Sequence, residues 1–600
     1  MRHDEILGLL HYLLAPGEEA SLLWAAHWEL AFWAIVLLIT LLLALTRPAW
    51  LLRAEDGFRR ISLHRTACVW GIGGAVIAIR TILLPLIPIP VPVMLDEFSY
   101  LLGADTFASG RLTNPPHPMW IHFESFNINM HPTYQSMYPP AQSLVLALGE
   151  KLTGEPWFGV LLSVAVMCAL FCWMLQGWMP PQWALLGGIY ALLRYGVFSY
   201  WINSYWGGAM AAIGGALLLG SLPRLRRKLS WQQSALFALG LVILANSRPF
   251  EGLLFALPLS LAVLWLGLRL TLHSTLRSTL PRRRILAQLV IPAALLLGLA
   301  LAWMLYYNWR GTGNALHMPY TINQATYHIS KPFLFQKPYP IPVYHNPQMR
   351  IFYMLHEYPD LLLSRSAWGL EVLMARKFFC YYVALVWPLL LLFVPGLLLA
   401  AWSAELRVVF LAIVLLLLGL TVQLWPAHGH YAAPASGAVL LILLNALRQL
   451  HHPRRANWLP WLSRAIVLAL FLWMLVPISD RLWNPYSLDD VSGHPSVPKE
   501  IDRERLQSQL SRLPGQHLVL VHYGARDVPS KEWVYNRARI DSAKIVWARD
   551  MGRQANQELL NYFPNRRIWY VDRSSGSVIM PYATSIALSH PADALLPDAR

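Results

Sequence analysis

Charge is what this sequence has least of. Of its 600 residues only 13% are Asp, Glu, Lys or Arg, while 56% are hydrophobic. With the apolar residues gathered in runs of helix-spanning length, that balance points to a polytopic membrane protein. Acids are scarcer than bases, 32 against 48, and the formal net charge is +16. In a soluble chain this excess would point to nucleic acid. Here the basic residues cluster between apolar runs, the pattern of the positive-inside rule, so the charge reports topology. Cysteine is also scarce: Cys68, Cys168, Cys172 and Cys380 all lie in or at the edge of apolar segments. Cys168 and Cys172 share a helix face, a spacing that suits packing better than a disulfide or a metal site. There is no internal repeat, no long low-complexity tract and no metal-spaced histidine motif. The opening MRHDEILGLLHYLLAPGEEA has acids on both sides of its apolar patch and lacks a small-residue cleavage site, which argues against a cleaved signal peptide.

What is there is a series of apolar runs, near 28–46, 66–88, 157–178, 182–200, 203–221, 232–247, 251–268, 285–307, 379–402, 408–425, 431–449 and 464–480. They predict a polytopic α-helical membrane protein of about twelve helices. The basic connections RPAWLLRAEDGFRR, RLRRK, RLTLHSTLRSTLPRRR and HHPRRANWLPWLSR belong in the cytoplasm. Alternation from these anchors puts outer loops 89–156 and 308–378, and the tail after about 480, on the opposite side. AQSLVLALGEKL is too short to span and is expected to lie on the membrane surface, started by the Pro139–Pro140 pair. Residues 1–65 form an extra N-terminal helix with its basic loop, and 66–480 the membrane core. From 481 to 600 charges become frequent and the runs HLVLVHY, AKIVWARD and RIWYVD predict strands of a small α/β domain.

The stretch VPVMLDEFSYLL places Asp96 and Glu97 where an apolar helix has just ended. Such a pair can simply mark the water interface. The loop that follows is long, however, and rich in aromatics and amides, including Tyr100, Trp120, Asn127, Tyr134 and Tyr138, side chains that stack on and hydrogen-bond to sugars or peptides. Its length and composition predict a folded cap.

This arrangement, followed by SMYPPAQSLVLALG, resembles the first outer loop of the GT-C superfamily of integral-membrane glycosyltransferases. The nearest branch is that of the protein O-mannosyltransferases and the lipid A aminoarabinose transferase. ANSRPFEGLL is similar to the family's Arg-Pro-x-Glu-Gly turn, HGHYAAPASG to its aromatic-x-x-Pro start of a late helix, and YYNWRGTGNALHMPY to a helix-to-loop junction of bacterial members. The resemblance covers most of residues 66–450. It implies an inverting transferase that moves a sugar from a polyprenyl-phosphate donor to an acceptor of the cell envelope, in a bacterial inner membrane with the C-terminal domain periplasmic. The first acid of the pair, Asp96, then acts on the acceptor. The chemistry fits independently, since a hydroxyl attacking an anomeric carbon must lose its proton. Glu97 is placed beside it as the second catalytic candidate, in a positioning role.

A lipid phosphate as leaving group needs a cation. The aminoarabinose-transferase branch carries Lys just before its Pro-Pro pair, whereas this chain has Met137 and Tyr138 there. Arg248, in a short outer turn, is the preferred replacement, with Arg376 and Lys377 next. Tyr138, Glu251, His317, Tyr320, Gln324, His430 and Tyr431 are the substrate-binding candidates. Oligosaccharyltransferase relatives hold a divalent ion on acidic clusters. The mapped loops offer Asp96, Glu97 and Asp105 but no DxD, which favours a mechanism with no metal and no other cofactor. Nucleic acid is not expected as a partner. The competing classes are a lipid or sugar transporter or flippase, for which Arg194 is the clearest mid-helix charge, and a non-catalytic envelope-glycan assembly protein.

Overall fold

The computed structural model describes residues 16–276, 282–425, 428–452, 457–483, 501–524, 527, 532–573 and 578–582. Each of the twelve apolar runs contains a helix. Six of these are long and apolar enough to cross a membrane: Ala26–Thr46, Arg65–Ile82, Trp157–Leu175, Pro249–Leu272, Arg282–Thr312 and Gly429–Leu450. A seventh span results if Ala367–Val386 and Leu390–Trp402, bent by 93° at their junction, are taken together. The other five runs fold as Pro181–Tyr195, Ala209–Arg227, Trp231–Ala245, Arg407–Val422 and Leu459–Trp483. Of the expected twelve or so, length and composition support six or seven spans among the described residues. A helix of 15 residues such as Trp231–Ala245 is about 22 Å long at 1.5 Å per residue, short of a hydrocarbon core of about 30 Å.

The face of the bundle that carries the long loops 89–156 and 308–378 is organised by how the chain leaves the span Arg65–Ile82. Arg80 is fully buried. Its guanidinium donates to the carbonyls of Ile87 (2.7 Å) and Pro88 (3.1 Å) and to Asn203 Oδ1 (3.0 Å), and it lies 4.7 Å over the Trp157 ring. The proline-rich link is thereby folded back onto the bundle before the helix Leu95–Ala108 begins. Glu97 starts that helix: its Oε2 accepts from the amides of Val93 (2.7 Å) and Met94 (2.8 Å), the reciprocal half of a capping box. Helix Pro140–Thr153 follows, with proline at its first turn. It leaves Leu144, Leu148 and Leu152 exposed at i, i+4, i+8, the stripe an interfacial helix offers to lipid.

The loops 89–156 and 308–378 are tied together. Gln135 Nε2 and Thr133 Oγ1 donate to the carbonyl of Gly311, and Asn129 bonds both Pro319 O and Asn323. The chain after 500 forms a four-stranded sheet in the order Ile545–Arg549, His517–His522, Arg567–Asp572, Val578–Pro581, the first three parallel and the last antiparallel. Its residues pack against the first outer loop. Tyr535 stacks on Phe98 with ring centroids 4.0 Å apart, Asp105 accepts from the Ala538 amide (2.7 Å), and Tyr134 donates to the Asn536 carbonyl (3.0 Å). Leu95, Phe98 and Phe126 share one apolar core with Leu518, Leu520 and Val546. The C-terminal sheet is thus a buttress for the helix that carries the acid pair.

Topology is tested by cysteine labelling at exposed positions. Single cysteines at Val343 and Arg553 should react with an impermeant thiol reagent in intact cells, and one at Arg227 should not. Labelling of position 227 from outside would overturn the assigned orientation.

Candidate active site

Asp96 sits in the first turn of Leu95–Ala108. Its Oδ1 accepts a hydrogen bond from the Tyr138 hydroxyl. Tyr138 stacks on Tyr100, with centroids 4.5 Å apart, and Tyr100 follows Asp96 by one helical turn, so acid and aromatic wall share a face. Across the site, the Arg248 guanidinium lies 4.2 Å over the Tyr431 ring, a cation–π contact at the start of helix Pro249–Leu276. Glu251 is buried on the first turn of that helix, where its Oε1 accepts from Gln423 Nε2 (3.2 Å). A small cavity opens beside these groups, lined by Tyr100, Pro139, Gln142, Gly208, Ser247 and Arg248.

The electrostatics follow from enclosure. Burial raises the Asp96 carboxyl above the usual carboxylate range, against the Tyr138 hydrogen bond and the positive charge of Arg248, which lower it. Tyr138 is pushed well above an ordinary phenol by burial and then by the Asp96 charge, so it remains a hydrogen-bond donor to the carboxylate. Glu97 is also raised by burial, but its oxygens are committed: besides the two capping amides, Oε1 accepts from the Tyr205 amide (2.9 Å). Of the acid pair, Asp96 is the one whose carboxylate faces Tyr138 and Arg248.

Six of the candidates named from the sequence form one group: Asp96, Tyr138, Arg248, Glu251, Tyr320 and Tyr431 all lie within electrostatic reach of Arg248 or Glu251. Of the others, His430 stacks on Tyr431, with ring centroids 5.0 Å apart. His317 is exposed. Gln324, one turn beyond Tyr320, bonds His328 (3.4 Å), which pairs with Glu357 (2.9 Å). His430 is buried against Trp206 and bonded to Tyr200 (3.2 Å). Arg376 pairs with Asp360 (3.3 Å), and Lys377 is buried on the carbonyls of Leu420 and Gln423. Both cations already have partners, which leaves Arg248 as the one on the Asp96 side. Two residues of the group escaped the sequence candidates. Tyr100 was signalled by its i, i+4 spacing from Asp96. Tyr381, which faces Tyr431, Glu251 and Arg248, is hidden in an aromatic run with no distinguishing pattern. The acids considered for a divalent ion do not converge: Glu97 is taken up by amides and Asp105 by Ala538. Among the described residues no three His, Cys, Asp or Glu side chains gather as ligands.

No protein-family model matches the sequence, and no curated protein matches it. Among solved structures the chain is similar to ArnT from Cupriavidus metallidurans bound to undecaprenyl phosphate, with a TM-score of 0.43 and 13% identity over 89% of this chain and 94% of that one. The apo state of the same protein gives 0.42 and 12% over 90% and 96%. The Archaeoglobus fulgidus oligosaccharyltransferase tethered to an acceptor peptide gives 0.40 and 11% over 83% and 68%. Likeness at this level assigns no activity, and the functional reading rests on the residues of the site.

The opposed effects on Asp96 fix the sign of a pH test. Any turnover that needs Asp96 as a base should fall on the acid side as pH drops through its raised value, above the ~4 of a free aspartate. Arg248→Ala removes a charge that lowers that value, and the acid limb should move to higher pH. A limb that stays in place or moves down would separate the two residues.

Proposed function

We propose that this protein is an inverting glycosyltransferase that takes a sugar from a polyprenyl-phosphate donor and delivers it to a hydroxyl-bearing acceptor of the cell envelope on the outer side of the membrane. The observation that carries the reading is the pairing of one desolvated carboxylate, held by Tyr138, with one half-buried guanidinium on Tyr431, beside a small cavity that Tyr100 and Arg248 line. Asp96 takes the proton of the acceptor hydroxyl as that oxygen attacks the anomeric carbon. The bond from that carbon to the phosphate oxygen breaks, and the electron pair leaves with the phosphate. Arg248 offsets the charge that develops there. One base and direct displacement invert the anomeric centre. Tyr138 holds the carboxylate in orientation, and Tyr100, Tyr320 and Tyr431 supply faces on which a sugar ring can stack. A bacterial inner membrane, with the C-terminal sheet in the periplasm, is the setting that the basic loops favour.

Arg194 was the main support for a transporter. Its guanidinium donates to the carbonyls of Val383 (2.6 Å) and Ala384 (3.3 Å), a structural task that needs no transported ion.

Two substitutions test the reading. Asp96→Asn keeps size but removes the base, and turnover should fall by about 10²–10⁴-fold with donor binding largely retained. Arg248→Ala should weaken binding of undecaprenyl phosphate in detergent, and Arg248→Lys should recover only part, because a point charge does not reproduce a guanidinium fork. Asp96→Asn activity within twofold of the wild type would sink the assignment.

A further inference from the structure

Two charges inside apolar helices have no task in the transfer chemistry, and both meet the same feature. Glu29 is buried in the span Ala26–Thr46, on the extra N-terminal helix. Arg194 is in the last turn of Pro181–Tyr195. The feature is the broken helix. Ala367–Tyr381 continues as a wide turn, Tyr382–Val386, stops, and resumes after a 93° bend as Leu390–Trp402.

A break of this kind strands carbonyls at the end of the first half and amides at the start of the second, and both are costly where water is excluded. Arg194 meets the first set through Val383 O and Ala384 O. Glu29 meets the second: its Oε1 accepts from the Leu390 amide (2.9 Å) and from the Trp33 indole (3.4 Å). Its Oε2 accepts from the Tyr382 hydroxyl, so one carboxylate bridges the two halves. Each charge has the sign that its helix terminus favours, a cation at the carbonyl end and an anion at the amide end.

The clamped segment is also what the site leans on. Ala384 packs so closely on Gly429 that a Cβ at 429 would lie 2.2 Å from that of Ala384. Tyr381, the residue before Tyr382, faces Tyr431, Glu251 and Arg248. We infer that Glu29 and Arg194 are positioning residues: by clamping the chain at 382–390 they hold Tyr381 and the segment 428–431 against Arg248, and so set the affinity of the site for the donor phosphate. The last clause rests on the transferase reading; the clamp does not.

The experiment uses the full chain in detergent and two readouts. Hydrogen exchange followed by mass spectrometry should show about tenfold faster exchange in both 387–393 and 428–432 for Glu29→Ala, as expected for loss of hydrogen bonds to a charged group. Glu29→Gln, which keeps an acceptor for Leu390, should change it less than about threefold. Tyr382→Phe deletes a single hydroxyl and serves if Glu29→Ala does not fold. Unchanged exchange in 428–432 for Glu29→Ala, or for Tyr382→Phe in its place, overturns the clamp. Undecaprenyl phosphate should bind Glu29→Ala about tenfold more weakly and Glu29→Gln close to normally. Faster exchange with unchanged affinity overturns the link to the phosphate. If the wild type itself does not bind this lipid, the donor reading fails while the exchange data still decide the clamp.

Discussion

The face of this protein that carries the two long loops depends on the carboxylate of Glu97. It accepts from Val93, Met94 and Tyr205, amides on two separate stretches of chain. Through these three bonds the start of the helix Leu95–Ala108 is fixed to the connection between Pro181–Tyr195 and Ala209–Arg227. A buried carboxylate is expensive unless hydrogen bonds satisfy it, and three amides at 2.7–2.9 Å do so. With the helix start fixed, the neighbouring residue has no freedom over where it points. Asp96 is turned toward Tyr138 and Arg248 because Glu97 is turned the other way.

A second constraint acts from the far side of the same helix. Phe98 is held under Tyr535, and Asp105 under the amide of Ala538. The C-terminal sheet therefore grips the element that carries Asp96, while the membrane helices supply Arg248, Glu251 and Tyr431. The cavity lies where the two halves meet, which makes its geometry a property of the whole chain. The broken helix extends the same principle into the bilayer, where Glu29 and Arg194 satisfy backbone groups that lipid cannot.

Much of the site was legible in the sequence because acids and arginines stand out against apolar surroundings. Asp96, Arg248 and Glu251 were visible for that reason, and Tyr138 and Tyr431 through the motifs around them. The resemblance pointed to Asp96, but why Asp96 and not Glu97 is turned toward Arg248 was not legible in the residues, since it depends on helix phase and on a partner of Glu97, Tyr205, more than a hundred residues away. Arg376 and Lys377 looked available for a phosphate because their partners, Asp360 and the carbonyls of Leu420 and Gln423, are matched only by tertiary folding. The apolar run near 379–402 carries Pro388, which has no amide proton and cannot continue a helix, at its 93° bend; what the run could not show is that Glu29 and Arg194 satisfy the backbone groups beside it. A helix at Pro140–Thr153, too short to span, was legible from the length of the run and the Pro139–Pro140 pair that starts it.

The central claim is that the carboxylate of Asp96, set opposite Arg248, drives sugar transfer to an envelope acceptor. The most direct measurement is mass spectrometry of glycolipids and glycans from cells that produce either the wild-type chain or Asp96→Asn at equal levels. The expected result is a species heavier by one sugar residue that is present with the wild type and absent with Asp96→Asn. Identical profiles from the two would contradict the account.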